Sequence, residues 1–306
     1  MRCFCYPVLD ALTACLALGV VLFSTAPSVG MEFRPVLVKT SETVFSRPHD
    51  LVLSPSGRFL IVADNGNDAV KALDPDSLKV LAVIGEGELS APHDVAFDAE
   101  GRLLVADTGN NRIAVYRFSE NGSEGAVGAR LVDSWDQDMG SPEGVAVGPK
   151  DRVFVTNAGL DTVLALENGR IVKSAGGRGR GNNQYIRPHD VHVDRRGRVI
   201  VADPGNNRFQ ILDRDLNFRG VWQGPPYNFN EPKYLADAEN GTVFIADEYN
   251  NRILVLDKSD RPVGMFGGKE GPLSGLLNQP EGVDVSGSRL WVADTYNNRI
   301  LLFRWP

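Results

Sequence analysis

The sequence predicts an all-β fold, a six-bladed β-propeller of four-stranded blades closed by an N-terminal strand that completes the last blade. Three observations predict it. A proline recurs at Pro48, Pro92, Pro142, Pro188, Pro232 and Pro280, at intervals of 44, 50, 46, 44 and 48 residues. Each proline is followed by an apolar segment ending in a carboxylate or amide, at Asp64, Asp107, Asn157, Asp203, Asp247 and Asp294. The 32 glycines and 18 prolines are distributed with this period rather than gathered in a linker. Short apolar runs punctuated by Gly, Asn and Pro, with no helical period, read as strands. A unit of this length holding four strands is a propeller blade, which buries both faces of its sheet only when neighbours cover it around a ring.

The chain begins with a different kind of segment. An apolar run of 13 residues, ALTACLALGVVLF from Ala11 to Phe23, follows Arg2 and Asp10. It falls short of the roughly 20 residues a membrane span needs and matches the core of a signal peptide. Small residues at Ser28-Val29-Gly30 offer a cleavage site before Met31. Residues 1–30 are therefore expected to be a leader and 31–306 the propeller, exported to the periplasm or secreted. An uncleaved anchor and a lipid attachment at Cys15 are the alternatives. All three cysteines (Cys3, Cys5 and Cys15) lie in this leader, so the mature chain would have no disulfide, thiolate metal site or cysteine nucleophile.

Glu32–Thr40 is an apolar stretch outside the first unit, whereas the last unit stops at its third strand. The expectation is that this segment supplies the missing outer strand, with Val36 and Val38 buried, and so removes an exposed sheet edge. Third strands begin at Val70, Arg112, Thr162, Arg208, Arg252 and Arg299. Between second and third strands lie DTGNNR (107–112), DPGNNR (203–208), DEYNNR (247–252) and DTYNNR (294–299). Gly and Asn suit a tight loop with positive φ. The Asp can accept N–H bonds across it, and the Arg can pair with a carboxylate. Ala69 replaces the Arg in the first unit, which assigns the Asp to the turn itself.

Four such turns in register with six proline-led strands resemble NHL repeats, over roughly residues 32–306. The resemblance implies a six-bladed propeller. It does not imply one chemistry, because the family includes RNA binders, protein-interaction modules and enzymes.

Residues after the repeat prolines read His49-Asp50, His93-Asp94, Glu143-Gly144, His189-Asp190, Lys233-Tyr234 and Glu281-Gly282. At the start of the innermost strands they should ring one channel mouth and contact a peptide, protein or small ligand. Alternate blades, about 120° apart in a six-fold ring, contribute His93, His189 and Glu281. Three N/O donors with an open fourth position would suit a divalent metal such as zinc. The plainer reading is a Pro-His repeat feature with each imidazole bonded to a loop. His192, in the strand of His189, reads as inter-blade packing, as do Trp135, Trp222 and Trp291.

Pro92-His93 and Pro188-His189 also resemble two zinc-binding positions of peptidyl-α-hydroxyglycine amidating lyases, which are six-bladed propellers. The third position is Glu281 here. That lyase's catalytic tyrosine lies two residues after a turn Asp, as do Tyr249 and Tyr296. Its arginine directly after such an Asp is replaced by Asn65, Thr108, Ala158, Pro204, Glu248 or Thr295. Two functions stay open: a binding propeller, and a metal-dependent lyase or hydrolase with His49 or Tyr249 near the reacting atom. The formal charge of −7 argues against nucleic acid. Membrane contact would come only through an uncleaved leader. The Gly176–Arg187 stretch (GGRGRGNNQYIR) reads as a connecting loop whose Arg178, Arg180 and Arg187 could attract an anion.

Overall fold

The computed structural model describes residues 33–120, 127–269 and 271–306. The expected leader lies outside the described residues. Six four-stranded antiparallel sheets form the blades, built in chain order from residues 48–84, 92–135, 142–176, 191–223, 232–267 and 283–304. The strand Val36–Thr40 adds to the sixth sheet beside Arg299–Arg304, so its order from outside inward is first, last, next-to-last and third-last strand of the chain. The ring is thus closed by pairing of Val36–Thr40 with Arg299–Arg304.

At this seam the expected burial of Val36 and Val38 is corrected. They are 64% and 50% exposed. Alternation along a strand sends neighbours to opposite faces, and it is Leu37, opposite Phe303, that points into the core with Phe33. Phe33 lies 5.7 Å from Phe244 and 6.1 Å from Phe266, ring to ring.

Blade-to-blade burial accounts for the core. Among the described residues there are six apolar clusters, one at each junction. Phe59 and Tyr116 meet between blades 1 and 2, and Phe209, Trp222 and Phe229 between blades 4 and 5. Trp135 and Trp291 belong to the junctions of blades 2 with 3 and 6 with 1. Burying each such side chain is worth about 2–3 kcal/mol, so no blade is stable apart from its neighbours.

The recurrent turn is a 3-10 turn ending in a left-handed residue. Asp107 is fully buried. Its Oδ1 accepts the Ser90 N–H at 2.7 Å, while Oδ2 accepts from Arg112 Nε at 2.6 Å and Asn110 Nδ2 at 2.9 Å. Asp203, Asp247 and Asp294 repeat this arrangement. A buried carboxylate is tolerable only when so satisfied. In blade 1, where Ala69 replaces the Arg, Lys71 pairs with Asp64 from two residues further along. Blade 3 has a neutral Asn157, which needs no cation; its Oδ1 takes the Gly140 N–H at 2.6 Å and its amide donates to the Asp138 carbonyl at 2.9 Å.

Candidate functional site at the channel mouth

The residue before each repeat proline adopts a left-handed conformation. Arg47, Ala91, Ser141, Arg187, Glu231 and Gln279 have φ between 45° and 52°. Each donates its N–H to the side-chain oxygen of the left-handed residue in the preceding blade's turn: Asn298, Asp68, Asn111, Asp161, Asn207 and Asn251, at 2.7–2.8 Å. This bond fixes where the chain turns into the innermost strand. Of this pre-proline tier, Arg47, Ala91, Arg187 and Glu231 line the channel mouth.

His49, His93, Glu143, His189, Lys233 and Glu281 all line one cavity of about 470 Å³, with Arg47, Arg187, Glu231, Glu248, Tyr249 and Tyr296 around them. Four other expected mouth residues do not join them. Asp50, Asp94, Asp190 and Tyr234 line a separate cavity of about 220 Å³ deeper in the channel, with Asp284. In blades 1, 2 and 5 the two residues of the pair part where the ladder to the second strand is irregular, with register shifts at Pro48–Leu51, Pro92–Val95 and Pro232–Leu235. There Asp94 Oδ2 accepts the Val145 N–H at 2.6 Å, Asp190 Oδ2 that of Leu235 at 3.3 Å, and Asp284 Oδ2 that of Leu53 at 2.7 Å. These carboxylates join alternate blades to the next. Tyr234 donates its hydroxyl to the His93 carbonyl at 3.1 Å. His192 bridges blades 4 and 5 through Asp237, at 2.7 Å.

Glu-Gly replaces His-Asp in blades 3 and 6 for a packing reason. A Cβ on Gly144 would lie 2.8 Å from the His189 carbonyl oxygen, and one on Gly282 would overlap the His49 carbonyl. The innermost strands are pressed together there.

The three mouth imidazoles converge. Ring centroids of His49 and His93 are 4.4 Å apart, those of His93 and His189 5.7 Å, and those of His49 and His189 6.2 Å. One nitrogen of each lies within 4.8 Å of the others. The cluster therefore takes His49 from blade 1 where symmetry suggested Glu281. Glu281 stands beside it, its Oε2 3.2 Å from His49 Nδ1 and 3.6 Å from His189 Nε2. Neither Glu281 Oε2 nor His49 Nδ1 completes a hydrogen bond of usable angle. Buried polar atoms without partners are rare.

Burial sets the protonation of these side chains. It lowers His93, against the pull of Glu143 and the Ala91 hydrogen bond, and drives His49 and His189 well below the ordinary imidazole value, where the neighbouring imidazoles, Lys233 and an arginine add to the effect. It also pushes Glu281 up to about 8, against the pull of Lys233. Neutral imidazoles are metal donors. His93 Nδ1 lies 2.9 Å from the Ala91 carbonyl, an outer bond of the kind that orients a ligating histidine. The donor set fits a divalent ion such as zinc.

Around the cluster, charges are mostly paired. Arg187 Nη2 donates to Glu143 Oε1 at 2.8 Å. Lys233 Nζ lies 3.3 Å from Glu248 and 4.0 Å from Glu231. Burial works against the Lys233 charge, but Glu281, Glu248 and Glu143 outweigh it and raise the lysine. The position where the lyase resemblance requires arginine is used as a blade link instead. Thr108 and Thr295 donate their hydroxyls to the Pro142 and Pro48 carbonyls, at 2.6 and 2.8 Å. In the Gly-rich connector, Arg187 lines the mouth, while Arg178 pairs with Asp161 outside it. Arg47, Glu231 and Glu248 were not anticipated. The signal for the first two was their place directly before a repeat proline.

A family model described as NHL repeat matches residues 89–116 and 277–303. A 70-residue segment is 40% identical to Protein lin-41 of Caenorhabditis elegans, covering 20% of this chain and 6% of that protein. A 49-residue segment is 45% identical to NHL repeat-containing protein 3 of Homo sapiens, covering 16% and 13%. The chain thus matches only a small part of these relatives' length. Among solved structures, a catalytically inactive virginiamycin B lyase from Staphylococcus aureus with quinupristin superposes with TM-score 0.58 at 12% identity, over 90% of this chain and 88% of that one. The PQQ-bound aldose sugar dehydrogenase from Streptomyces coelicolor gives 0.63 at 14% identity, over 90% and 99%. At such identities the likeness establishes the fold alone. With the repeat matched at residues 89–116 and 277–303 and six blades formed, the chain is a six-bladed β-propeller that carries NHL repeats.

Proposed function

We propose that this propeller binds a small ligand or peptide end at the channel mouth and acts on it as a metal-dependent lyase or hydrolase. The observation that carries this is the convergence of His49, His93 and His189, with one nitrogen of each within 4.8 Å of the others beneath a cavity of about 470 Å³. A divalent ion held there would act as a Lewis acid toward a ligand oxygen or a bound water. Glu281 supplies the nearest carboxylate and has an oxygen still without a partner. The cavity is of ligand size. Enzymes on the same fold, a lyase and a dehydrogenase, are compatible with this reading.

Metal analysis of protein purified without a tag tests it. The expected result is about one divalent ion per chain, reduced to background in His49→Ala and His189→Ala variants that still fold. Equal metal content in wild type and variants rejects the reading. A second reading, capture of a ligand without catalysis, is favoured by the tyrosines and arginines of the rim, and mouth binding without metal would select it. Export is part of the proposal: N-terminal sequencing of secreted or periplasmic material should begin near Met31, and an intact Met1 in the cytoplasmic fraction would reject it.

A further inference from the structure

We propose that the mouth selects an anionic ligand, with its carboxylate taken by Arg47 and its adjoining planar or apolar part laid against Tyr296 and Tyr249. The proposal rests on the mouth being the functional site.

Charge pairing singles out Arg47. Arg187 is engaged by Glu143 and Lys233 by Glu248. Among the described residues, no hydrogen bond or ion pair occupies the Arg47 guanidinium, although it lines the same cavity. Its main chain is held by Asn298 at φ 48°, which fixes the root of the side chain over the mouth. A left-handed backbone disfavours any residue with a Cβ, and Ala91 and Ser141 meet the same backbone demand without a charge. A guanidinium fixed at its base and free at its tip is suited to a two-pronged bond with a carboxylate.

Tyrosines at adjacent turns supply the second observation. In blades 1 to 4 their place is taken by Gly66, Gly109, Gly159 and Gly205. A Cβ there would collide with Ser46, Ser90, Gly140 or Ile186 of the incoming loop. Blades 5 and 6 instead seat Tyr249 and Tyr296, whose N–H groups reach the Asn230 and Asn278 carbonyls at 3.1 and 3.2 Å. Both rings are 45–48% exposed and line the mouth. Their hydroxyls make no hydrogen bond among the described residues. Tyr296 lies two residues before Asn298, the residue that holds Arg47, and Tyr296, Tyr249 and Arg47 line one cavity. Aromatic walls with one placed charge are the usual makeup of a small-ligand site. A free acid and a peptide C-terminus share this chemistry.

Calorimetric titration with N-acetyl-L-phenylalanine and its primary amide, with and without loaded zinc, tests the proposal. Wild type should bind the carboxylate at least tenfold more tightly than the amide, with or without the metal. In Arg47→Gln the preference should fall below twofold while zinc content and melting temperature are kept. Tyr249→Gly with Tyr296→Gly should weaken both probes by fivefold or more. An acetylated tripeptide ending in phenylalanine should match the single residue if peptide ends are the source, and bind far more weakly if free acids are. Equal affinity for acid and amide, no binding of either, or a preference that survives Arg47→Gln overturns the proposal. So does a preference that vanishes with the metal, which would give the carboxylate to the ion. Absence of zinc binding with an Arg47-dependent preference removes the metal reading and leaves this one standing.

Discussion

Arg47 donates its N–H to Asn298 Oδ1 at 2.8 Å, across the junction where the sixth blade meets the first. Equivalent bonds span the other five junctions, and in each both residues are left-handed. The latch therefore belongs to ring assembly as well as to the mouth. Asn298→Ala should cost about 1–2 kcal/mol in denaturant unfolding, because the Arg47 N–H loses its acceptor and alanine must adopt a left-handed φ of 53°. Arg47→Gly should do the reverse, leaving stability unchanged or raising it by up to about 1 kcal/mol, since glycine adopts the required φ without strain. If Arg47→Gly destabilises as much as Asn298→Ala, the guanidinium has a structural role and is not free for a ligand.

Turn glycines and turn tyrosines should respond oppositely to substitution. Gly109→Ala puts a Cβ against the Ser90 side chain and within 2.8 Å of the Ser90 carbonyl oxygen. The expected loss is about 1–3 kcal/mol, the usual range for overpacking. Tyr249→Gly removes an exposed ring, so stability should change by less than about 1 kcal/mol. Thermal melts of the two single variants check this. Equal losses would mean that Tyr249 packs as scaffold.

The contrast shows what was legible in the sequence. The repeat is legible because every blade needs the same turn and five of the six need the same buried Asp, so architecture and turn chemistry could be read from residues such as Asp107, Asn110 and Arg112, and ring closure from the stretch Glu32–Thr40. The post-proline residues were legible as a ring for the same reason. Depth was not. Nothing in the pair His93-Asp94 says that the two side chains belong to different cavities. Six-fold symmetry suggested alternate blades as metal donors, yet the channel is narrow enough for His49 and His93 of adjacent blades to meet at 4.4 Å. The pre-proline tier escaped notice because its common property is backbone conformation, and Arg47, Ala91 and Glu231 share no chemistry. At the seam, Val36, Leu37 and Val38 are all apolar, so the pattern alone could not say which face is covered.

Removal of the N-terminal segment through Thr40 should destabilise the ring. Phe33 and Leu37 would no longer cover the cluster containing Phe244, Phe266 and Phe303, and Arg299–Arg304 would become an open edge. A lower melting temperature and aggregation on heating are the expected outcomes. A milder variant, Leu37→Ala, should cost about 2–3 kcal/mol if the strand is paired throughout. Truncated protein that melts with the untruncated propeller would show that the ring closes without this strand.

Asp284 gives stability a definite pH dependence. Burial raises it from its ordinary 3.8 to about 6, although the Leu53 and Val285 N–H groups and the charges of His192 and Arg195 oppose the rise. The folded chain thus holds this proton more tightly than the unfolded chain. The associated stability is complete below about pH 4 and is lost as pH rises through 6. Asp284→Asn cannot ionise, and its NH2, a donor only, replaces one of the two oxygens that accept the Leu53 and Val285 N–H groups at 2.7 Å, whereas a protonated carboxyl keeps acceptor capacity on both. Below pH 4 the variant should therefore be less stable than wild type by about 1 kcal/mol. Above pH 7 the wild type carries a buried charge worth on the order of 3 kcal/mol, so the order of stability should invert. The other channel acids titrate in both proteins, so the difference between their unfolding free energies isolates Asp284. Urea titrations at pH 4, 6 and 7.5 measure it, and a difference that stays constant with pH would mean that Asp284 is ionised in both folded and unfolded states.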